Sequence, residues 1–229
     1  AYKEANGLQS LQPEQEAKQK EWLEKRMEGR RHKDEVSDVF ECIRTNSKRI
    51  QARKLFNYNI VLIGFMGAGK STISDFLKNV FAMDVVEMDQ IIAQRQGMSI
   101  SDIFETYGEQ YFRDLETNLL IEMQSRSNVV ISCGGGTPMR ECNVVEMKKN
   151  GRVVLLTAKP ETILERVKDN HDRPLLENNK TVPFIADLME KRRAKYEAAA
   201  DIVIQTDGKS ELEICEELIH RLREADANK

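Results

Sequence analysis

The feature that most restricts the fold is a short apolar stretch that runs directly into a glycine-rich loop. Residues 59–63 read NIVLI and continue into GFMGAGKST, and the fixed positions of the pattern GxxxxGK(S/T) are occupied by Gly64, Gly69, Lys70 and Ser71. In such a loop, backbone amides and the positive end of the following helix bind phosphate, while the lysine reaches the outer phosphates. We therefore predict a strand, a loop and a helix, with nucleotide contacts from Gly67, Ala68, Gly69, Lys70, Ser71 and Thr72.

The loop alone does not distinguish a kinase from a GTPase or an ATPase. A GTPase should also carry an NKxD segment that reads guanine, and the nearest string, NNKTVP, has Val182 at the aspartate position. This difference argues against guanine and favours a compact kinase that uses ATP. In such a kinase the hydroxyl of Ser71 would bind Mg²⁺.

From residue 58 onward, short β-rich runs alternate with longer amphipathic segments. The runs are YNIVLIG, DVVEM, NVVISC, RVVLLTA and DIVIQT. This alternation is typical of βαβ units and predicts an α/β fold, in which helices cover both faces of a parallel sheet. We place this P-loop domain at residues 57–229.

The region before residue 57 predicts an α-helical appendage. It is strongly charged, lacks strand-like alternation, and carries apolar residues at helical spacing, namely Val36, Val39, Phe40, Ile43 and Ile50. A break is expected within MEGRRHKDE, where Gly29 and a cluster of charges interrupt the pattern. The sequence therefore predicts two helices within a segment at residues 1–56.

Composition limits the partners that we expect. Lys and Arg total 35 against 38 Asp and Glu, so the net charge of −3 provides no field that attracts nucleic acid. The four cysteines never form CxxC, which indicates reduced thiols rather than a zinc site or a disulfide scaffold. No apolar run approaches the ~20 residues that span a bilayer, and the N-terminal region is too polar for a signal peptide. We expect a cytoplasmic protein without nucleic-acid or membrane partners.

Polar side chains at the ends of the second and third predicted strands form a further set of candidates. The second run continues as VVEMDQ, with Glu87 and Asp89, and the third continues as ISCGGGTP, with Ser132. Because ligands bind beyond the carboxyl ends of parallel strands, these side chains should lie close to the phosphate loop. In an extended segment, spacing by two places Glu87 and Asp89 on one side, one carboxylate toward the metal and one toward the substrate.

These motifs, with FRDLE, HDRPLL and RRAKY, make the chain similar to the shikimate kinase family over residues 59–222. The resemblance implies ATP-dependent phosphorylation of the 3-hydroxyl of shikimate, with Lys70, Asp89 and Arg173 as catalytic residues. Asp89 would bind shikimate hydroxyls and assist proton removal. The implied substrate-binding residues are Asp89, Arg113, Gly134, Gly135, Gly136 and Arg192, and the implied apolar walls of the pocket are Phe104 and Phe112.

The same resemblance assigns the nucleotide and metal contacts. Arg166 would lie against the adenine, and Arg173, in the lid segment HDRPLL, would fold over the transferred phosphoryl group. Ser132 would hold the water shell of Mg²⁺. Glu87 stands where the family usually has the first aspartate of DxD, so its water-mediated contact with the metal would be made by a longer side chain.

Other functions stay open from the sequence: a gluconate or nucleoside-monophosphate kinase, or a nucleotide-binding regulator without transfer activity. Residues 1–56 resemble the second and third helices of the helical chorismate mutases, whose substrate-binding spacing is matched by Lys3, Ser47 and Gln51. That family's usual Asp and Arg are replaced by Gln12 and Gln15, and its long first helix has no counterpart. We therefore expect a segment without mutase activity; the alternatives are a helical spacer or an element for self-association.

Overall fold

In the computed structural model, which describes residues 13–168 and 181–227, five parallel strands form one sheet. The strands are β1 (Asn59–Ile63), β2 (Asp84–Glu87), β3 (Val129–Ser132), β4 (Gly151–Thr157) and β5 (Ile202–Gln205). Their order across the sheet is β2-β3-β1-β4-β5, and Ile60 of β1 is in register with both Val130 and Arg152. The predicted α/β fold is confirmed, and each of the five β-rich runs corresponds to one strand, with β4 beginning one residue before its run.

Helices cover both faces of the sheet. Within the described ranges they are α1 (Pro13–Arg26), α2 (Lys33–Leu55), α3 (Lys70–Phe81), α4 (Met88–Gln96), α5 (Ile100–Met123), α6 (Glu141–Lys149), α7 (Pro160–Val167), α8 (Val182–Ala199) and α9 (Glu211–Ala227). A short 3₁₀ turn, Thr137–Met139, follows β3. Among residues 13–168 and 181–227, no helix has the length and apolar character needed to cross a membrane.

Strand β1 is buried on both sides, as expected for the central strand of a parallel sheet. Ile60 and Leu62 contribute to the core on one face, while Val61 and Ile63 contribute to the core on the other. All four are at most 1% exposed. This packing fixes the carboxyl end of β1, where the phosphate loop begins.

The N-terminal helices are separated at residues 27–32, where the break was predicted, and Gly29 has a φ of 69°. The end of α2 packs into the core of the sheet domain. Ala52 and Phe56 are both 0% exposed, and the Phe56 ring centroid lies 6.0 Å from that of Phe81. Lys48 Nζ also donates to a backbone oxygen of α3 at 2.9 Å. The last turns of α2 therefore share a core with the sheet.

We expect Phe56→Ala to lower the free energy of unfolding by about 3–5 kcal/mol, because it leaves a cavity beside Phe81. The matched control is Val145→Ala on α6, since Val145 is 55% exposed. The control should change stability by less than about 0.5 kcal/mol. Urea unfolding followed by circular dichroism measures both, and equal effects of the two substitutions would show that Phe56 is not part of a shared core.

Candidate active site

The phosphate loop connects the buried end of β1 to the first turn of α3. Gly64 has a φ of 143°, and a Cβ there would lie 2.3 Å from the backbone oxygen of Leu156 on β4, so only glycine fits. Gly69 has a φ of 99° and directly precedes α3. Lys70 begins that helix, and its Nζ donates to the backbone oxygens of Gly64 at 2.9 Å and Phe65 at 3.1 Å. The ammonium group is therefore held over the loop.

Ser71 lies next to a carboxylate at the carboxyl end of β2. Its Oγ donates to Glu87 Oε2 at 3.1 Å, and Ser74 Oγ donates to Glu87 Oε1 at 2.5 Å. Glu87 is also in register with Ser132 on β3. Adjacent hydroxyl and carboxylate oxygens beside a phosphate loop form a donor set that fits Mg²⁺. The side chain of Glu87 reaches both Ser71 and Ser74. The three residues predicted to hold the metal, Ser71, Glu87 and Ser132, therefore lie close together.

The expectation that Glu87 and Asp89 share one extended segment is wrong. Strand β2 ends at Glu87 and α4 begins at Met88, so Asp89 lies in the first turn of a helix. The helix N-terminus favours a negative charge at this position. The three glycines at residues 134–136, which follow β3, are called the glycine segment below. A Cβ at Gly134 would lie 2.7 Å from Asp89 Oδ1, so this carboxylate packs directly against the glycine segment.

Arg113, on α5, lies on the other side of the same glycine segment. A Cβ at Gly136 would lie 2.5 Å from Arg113 Nη1 and Nη2, so glycine is needed for the guanidinium group to pack there. The guanidinium donates to Glu116 Oε2 at 2.8 Å and to Glu109 Oε1 at 2.8 Å. The Glu116 side chain is 0% exposed, whereas the Glu109 side chain is 68% exposed. Arg113 therefore has one buried partner and one that solvent can replace.

Glu116 joins the two sides of the glycine segment. It accepts a hydrogen bond from Thr137 Oγ1 in addition to the bond from Arg113 Nη1. Burial raises the pKa of Glu116, and the nearby charge of Asp89 also raises it, while Arg113 and Thr137 act in the opposite direction. Glu116 thus orients Arg113 and Thr137 without facing solvent itself.

We expect Glu116→Gln to gain stability relative to the unsubstituted protein as the pH rises. Because its pKa is raised in the folded state, the stability due to Glu116 is complete below its ordinary pKa of 4.5 and is lost as the pH rises through the folded pKa. Glutamine cannot titrate, so the variant lacks this loss. Urea unfolding between about pH 4 and about pH 8 measures the difference. Glu109→Gln is the matched control, and an equal pH dependence in both variants would contradict the assignment.

Two aromatic rings lie beside Arg113. Its guanidinium carbon is 5.9 Å from the Phe104 ring centroid and 5.5 Å from the Phe112 ring centroid. Phe112 is 3% exposed and belongs to the core, while Phe104 is only partly buried. Between them α5 is interrupted at Gly108, which has a φ of 82° and a ψ of 167°. Phe112 therefore supports the site from within the core rather than forming an open wall.

Arg192 and Tyr196, one turn apart on α8, connect that helix to both loops. The Arg192 guanidinium lies 5.9 Å from the ring centroid of Phe65 in the phosphate loop. Tyr196 Oη donates to the backbone oxygen of Gly135 at 2.5 Å. Burial raises the pKa of Tyr196, while the charge of Arg192 and its hydrogen bond to the tyrosine lower it. Arg192 is therefore held between the phosphate loop and the glycine segment.

Arg166, at the end of α7, contacts the phosphate loop at Gly67. It donates to the backbone oxygen of Gly67 at 3.1 Å and to Thr206 Oγ1 at 3.1 Å. Thr206 follows β5, is 1% exposed, and also donates to the backbone oxygen of Ala68 at 3.3 Å. Ala68 itself is 0% exposed, so its side chain lies in the core rather than facing a ligand.

One cleft of about 990 Å³ joins most of the predicted residues. Those that line it are Gly67, Gly69, Lys70, Ser71, Thr72, Glu87, Asp89, Ser132, Gly134, Gly135 and Arg166. Arg113, Gly136 and Arg192 do not line this cleft; they lie next to the glycine segment and the phosphate loop that form its wall. Arg173 belongs to residues 169–180, which are outside the described residues.

Sequence reasoning missed three residues of this arrangement: Ser74, Glu116 and Thr206. Ser74 and Glu116 each lie three positions after a predicted residue, Ser71 or Arg113, on the same face of the same helix. That spacing was an available signal. Thr206 directly follows β5, so the rule that ligands meet the carboxyl ends of strands also applied to it.

A parallel sheet with a phosphate loop after β1 and carboxylates at the same edge defines a P-loop nucleotide-binding protein. A model of the shikimate kinase family matches residues 66–223. The chain belongs to the shikimate kinase family. The matched segment begins after α1 and α2, so it includes neither helix.

Similar proteins agree in length and structure with this segment. The shikimate kinase of Persephonella marina is 43% identical over 165 residues, which are 72% of this chain and 99% of that protein. A shikimate kinase from Acinetobacter baumannii, solved in complex with shikimate, has a TM-score of 0.68 and 32% identity, covering 75% of this chain and 96% of that one. The shikimate kinase structure from Aquifex aeolicus has a TM-score of 0.62 and 37% identity, over 72% and 96% of the two chains.

Proposed function

We propose that this chain transfers the γ-phosphoryl group of ATP to the 3-hydroxyl of shikimate, which gives shikimate 3-phosphate and ADP. The observation that carries the proposal is the cleft shared by Lys70 of the phosphate loop and by Asp89 and Gly134 on the acceptor side. A phosphoryl donor and an alcohol bound at its two ends would meet in one space. The Acinetobacter baumannii relative, which binds shikimate, supports the choice of acceptor.

On the acceptor side, Asp89 accepts a hydrogen bond from the reacting hydroxyl and takes its proton as the new O–P bond forms. Arg113 and Arg192 bind the carboxylate of shikimate. An incoming carboxylate can replace the exposed Glu109 as a partner of Arg113, while the buried Glu116 keeps the guanidinium oriented. Because Gly134 and Gly136 have no side chains, Asp89 and Arg113 pack directly against the backbone there, and the backbone can also approach the shikimate ring.

On the donor side, the amides of residues 67–72 bind the phosphates, and Lys70 neutralises charge that spreads over the transferred group. Arg166, fixed by Gly67 and Thr206, lies against the adenine. Arg173 is assigned to the transferred phosphoryl group by family resemblance alone. Its closure over the site would exclude water and so suppress ATP hydrolysis.

Mg²⁺ is the metal ion that we propose for this site. Ser71 would bind it directly, and Glu87 and Ser132 would hold it through water. When bound with ATP, the ion would supply positive charge that offsets the negative charge of the phosphates. The hydrogen bond between Ser71 and Glu87 keeps both oxygens at the cleft and ready for this role.

The test is an acceptor panel with ATP and Mg²⁺, in which ADP formation is followed by a coupled assay. We expect rapid turnover with shikimate and only background turnover with gluconate or a nucleoside monophosphate. Shikimate amide, which lacks the carboxylate, should bind at least about ten-fold more weakly because it removes the charged partner of the arginines. Faster turnover with gluconate or a nucleoside monophosphate would overturn the acceptor, and no turnover with any of them would favour a non-catalytic regulator.

For the N-terminal part we propose a helical segment at residues 1–56 that precedes the kinase domain at 57–229 and packs on it at the end of α2. This segment lacks chorismate mutase activity and takes part in self-association. Gln51 Nε2 donates to Ser47 Oγ at 3.3 Å on an exposed face, so these two polar groups pair with each other. Lys3, Gln12 and the side chain of Gln15 lie outside the described residues. Chorismate consumption above the uncatalysed rate would contradict the inactive assignment.

We also propose that the chain works in the cytoplasm and binds no nucleic acid. The exposed thiols of Cys42 and Cys142 and the net charge of −3 support both statements. Cell fractionation tests the location. Retention on a nucleic-acid column at low salt would contradict the second statement.

A further inference from the structure

Helix α2 carries an apolar stripe that faces away from the kinase domain. Val36, Val39, Ile43 and Ile50 are 39%, 60%, 64% and 56% exposed. The opposite face of the helix holds Ala52, which is fully buried, and Lys48, which bonds to α3. The stripe, which consists of these four residues, therefore has no cover from the described part of the chain.

The spacing of the stripe is that of a helix that pairs with another helix. Its members are separated by three, four and seven residues, which is the a and d repeat of a coiled coil. At a rise of 1.5 Å per residue, the stripe is about 21 Å long. Ile43 lies at its midpoint. A stripe of this length fits one partner helix rather than a broad surface.

The charges of α2 indicate the direction of that partner. Its first ten residues carry the acidic side chains Asp34, Glu35, Asp38 and Glu41, while its last thirteen carry basic side chains and no acidic ones. A second copy of α2 laid parallel would place like charges side by side. A copy laid antiparallel places the acidic half of each helix beside the basic half of the other.

We infer that α2 pairs with α2 of a second copy of this chain in an antiparallel arrangement, around a two-fold axis close to Ile43. Val36 then meets the partner's Ile50, and Glu35 lies beside the partner's Arg53. Glu35 and Arg53 are eighteen residues apart, about five helical turns, so they lie on the same flank of the stripe. This inference deepens the self-association proposed above and is independent of the kinase reaction.

Cys42 provides a reporter for this geometry. It is exposed, precedes Ile43, and lies two helical turns from Glu35 on the same flank. In the antiparallel pair, equivalent flanks face each other, so the two Cys42 side chains approach near the axis. In a parallel pair they would lie on opposite sides of the interface.

The test is sedimentation equilibrium of the full chain, with kinase activity as the check that each variant is folded. We expect a concentration-dependent dimer whose dissociation constant rises at least ten-fold in Ile43→Asp. The matched control is Ile121→Asp, a similarly exposed isoleucine (50%) on α5, which should leave association unchanged. A monomer at all concentrations, or a dimer insensitive to Ile43→Asp, would overturn the proposal. A monomer destabilised by Ile43→Asp would instead show that the stripe is covered within one chain, which also overturns it.

Two further measurements test the direction. Glu35→Arg and Arg53→Glu should each weaken association, and the double variant should restore it, because the swap re-forms the pair across the interface. A short bis-maleimide should cross-link the dimer through Cys42, with loss of the product in Cys42→Ser but not in Cys142→Ser. A double variant weaker than either single one, or a cross-link that survives Cys42→Ser, would exclude the antiparallel arrangement.

Discussion

Replacing Lys70 by methionine is expected to lower kcat with shikimate by roughly 10³-fold or more, which is the scale for loss of one cation or donor that stabilises charge in the transition state. Lys70 is held over the phosphate loop by bonds to the backbone oxygens of Gly64 and Phe65. Methionine keeps the length of the side chain but removes the charge. Steady-state kinetics at saturating ATP and shikimate measures the effect.

The matched control is Lys78→Met, which removes an exposed lysine from the other end of the same helix. It should leave kcat unchanged. Unfolding by urea checks that both variants retain the fold. Near-normal turnover in Lys70→Met, or an equal loss in the control, would remove Lys70 from the chemical step and leave the phosphate loop as a binding element only.

Asp89→Asn is expected to lower kcat by about 10²-fold, the lower end of the usual range for general acid–base catalysis, with a smaller change in KM for shikimate. The two side chains have the same shape, so the contact with Gly134 is preserved. Asparagine can still bond to the substrate hydroxyl, but it cannot accept the proton. The separation of kcat from KM distinguishes proton transfer from binding.

Asp75→Asn serves as the control because Asp75 is exposed on α3. Its kinetics should match those of the unsubstituted protein. A large rise in KM at constant kcat in Asp89→Asn would mean that Asp89 only positions the substrate. In that case transfer would rely on alignment and charge neutralisation alone.

The fold was predictable because its signals are local and strong. Each strand is a short β-rich run, β1 is buried on both faces, and the phosphate loop follows it without interruption. The break between α1 and α2 was predictable from Gly29. The sequence did not reveal that the two faces of α2 have different surroundings. Ala52, and Phe56 just after the helix, lie in the core, whereas the stripe is exposed. That difference depends on which tertiary surface the helix meets, and helical periodicity alone does not specify it.

The site was predictable in its residues more than in its geometry. Asp89 was named correctly as a residue of the cleft, but its orientation was argued from an extended segment that ends at Glu87. The absence of any loop between β2 and α4 explains that error. Glu116 was not singled out, because a glutamate three residues after an arginine on a helix is typical of an exposed ion pair. Only the packing of α5 against the 3₁₀ turn shows that the carboxylate is buried.

The strand order has a consequence for how the nucleotide site forms during folding. The loop is fixed by β1, but the neighbours of β1 are β3 and β4, which are encoded far downstream. Gly64 is pressed against the backbone of β4, and Arg166 and Thr206 reach the loop from still later segments. Pairing between such distant segments must first overcome the entropy of closing long loops, which slows folding. The phosphate loop is the clearest motif in the sequence, but its folded geometry depends on contacts with strands and side chains from much later in the chain.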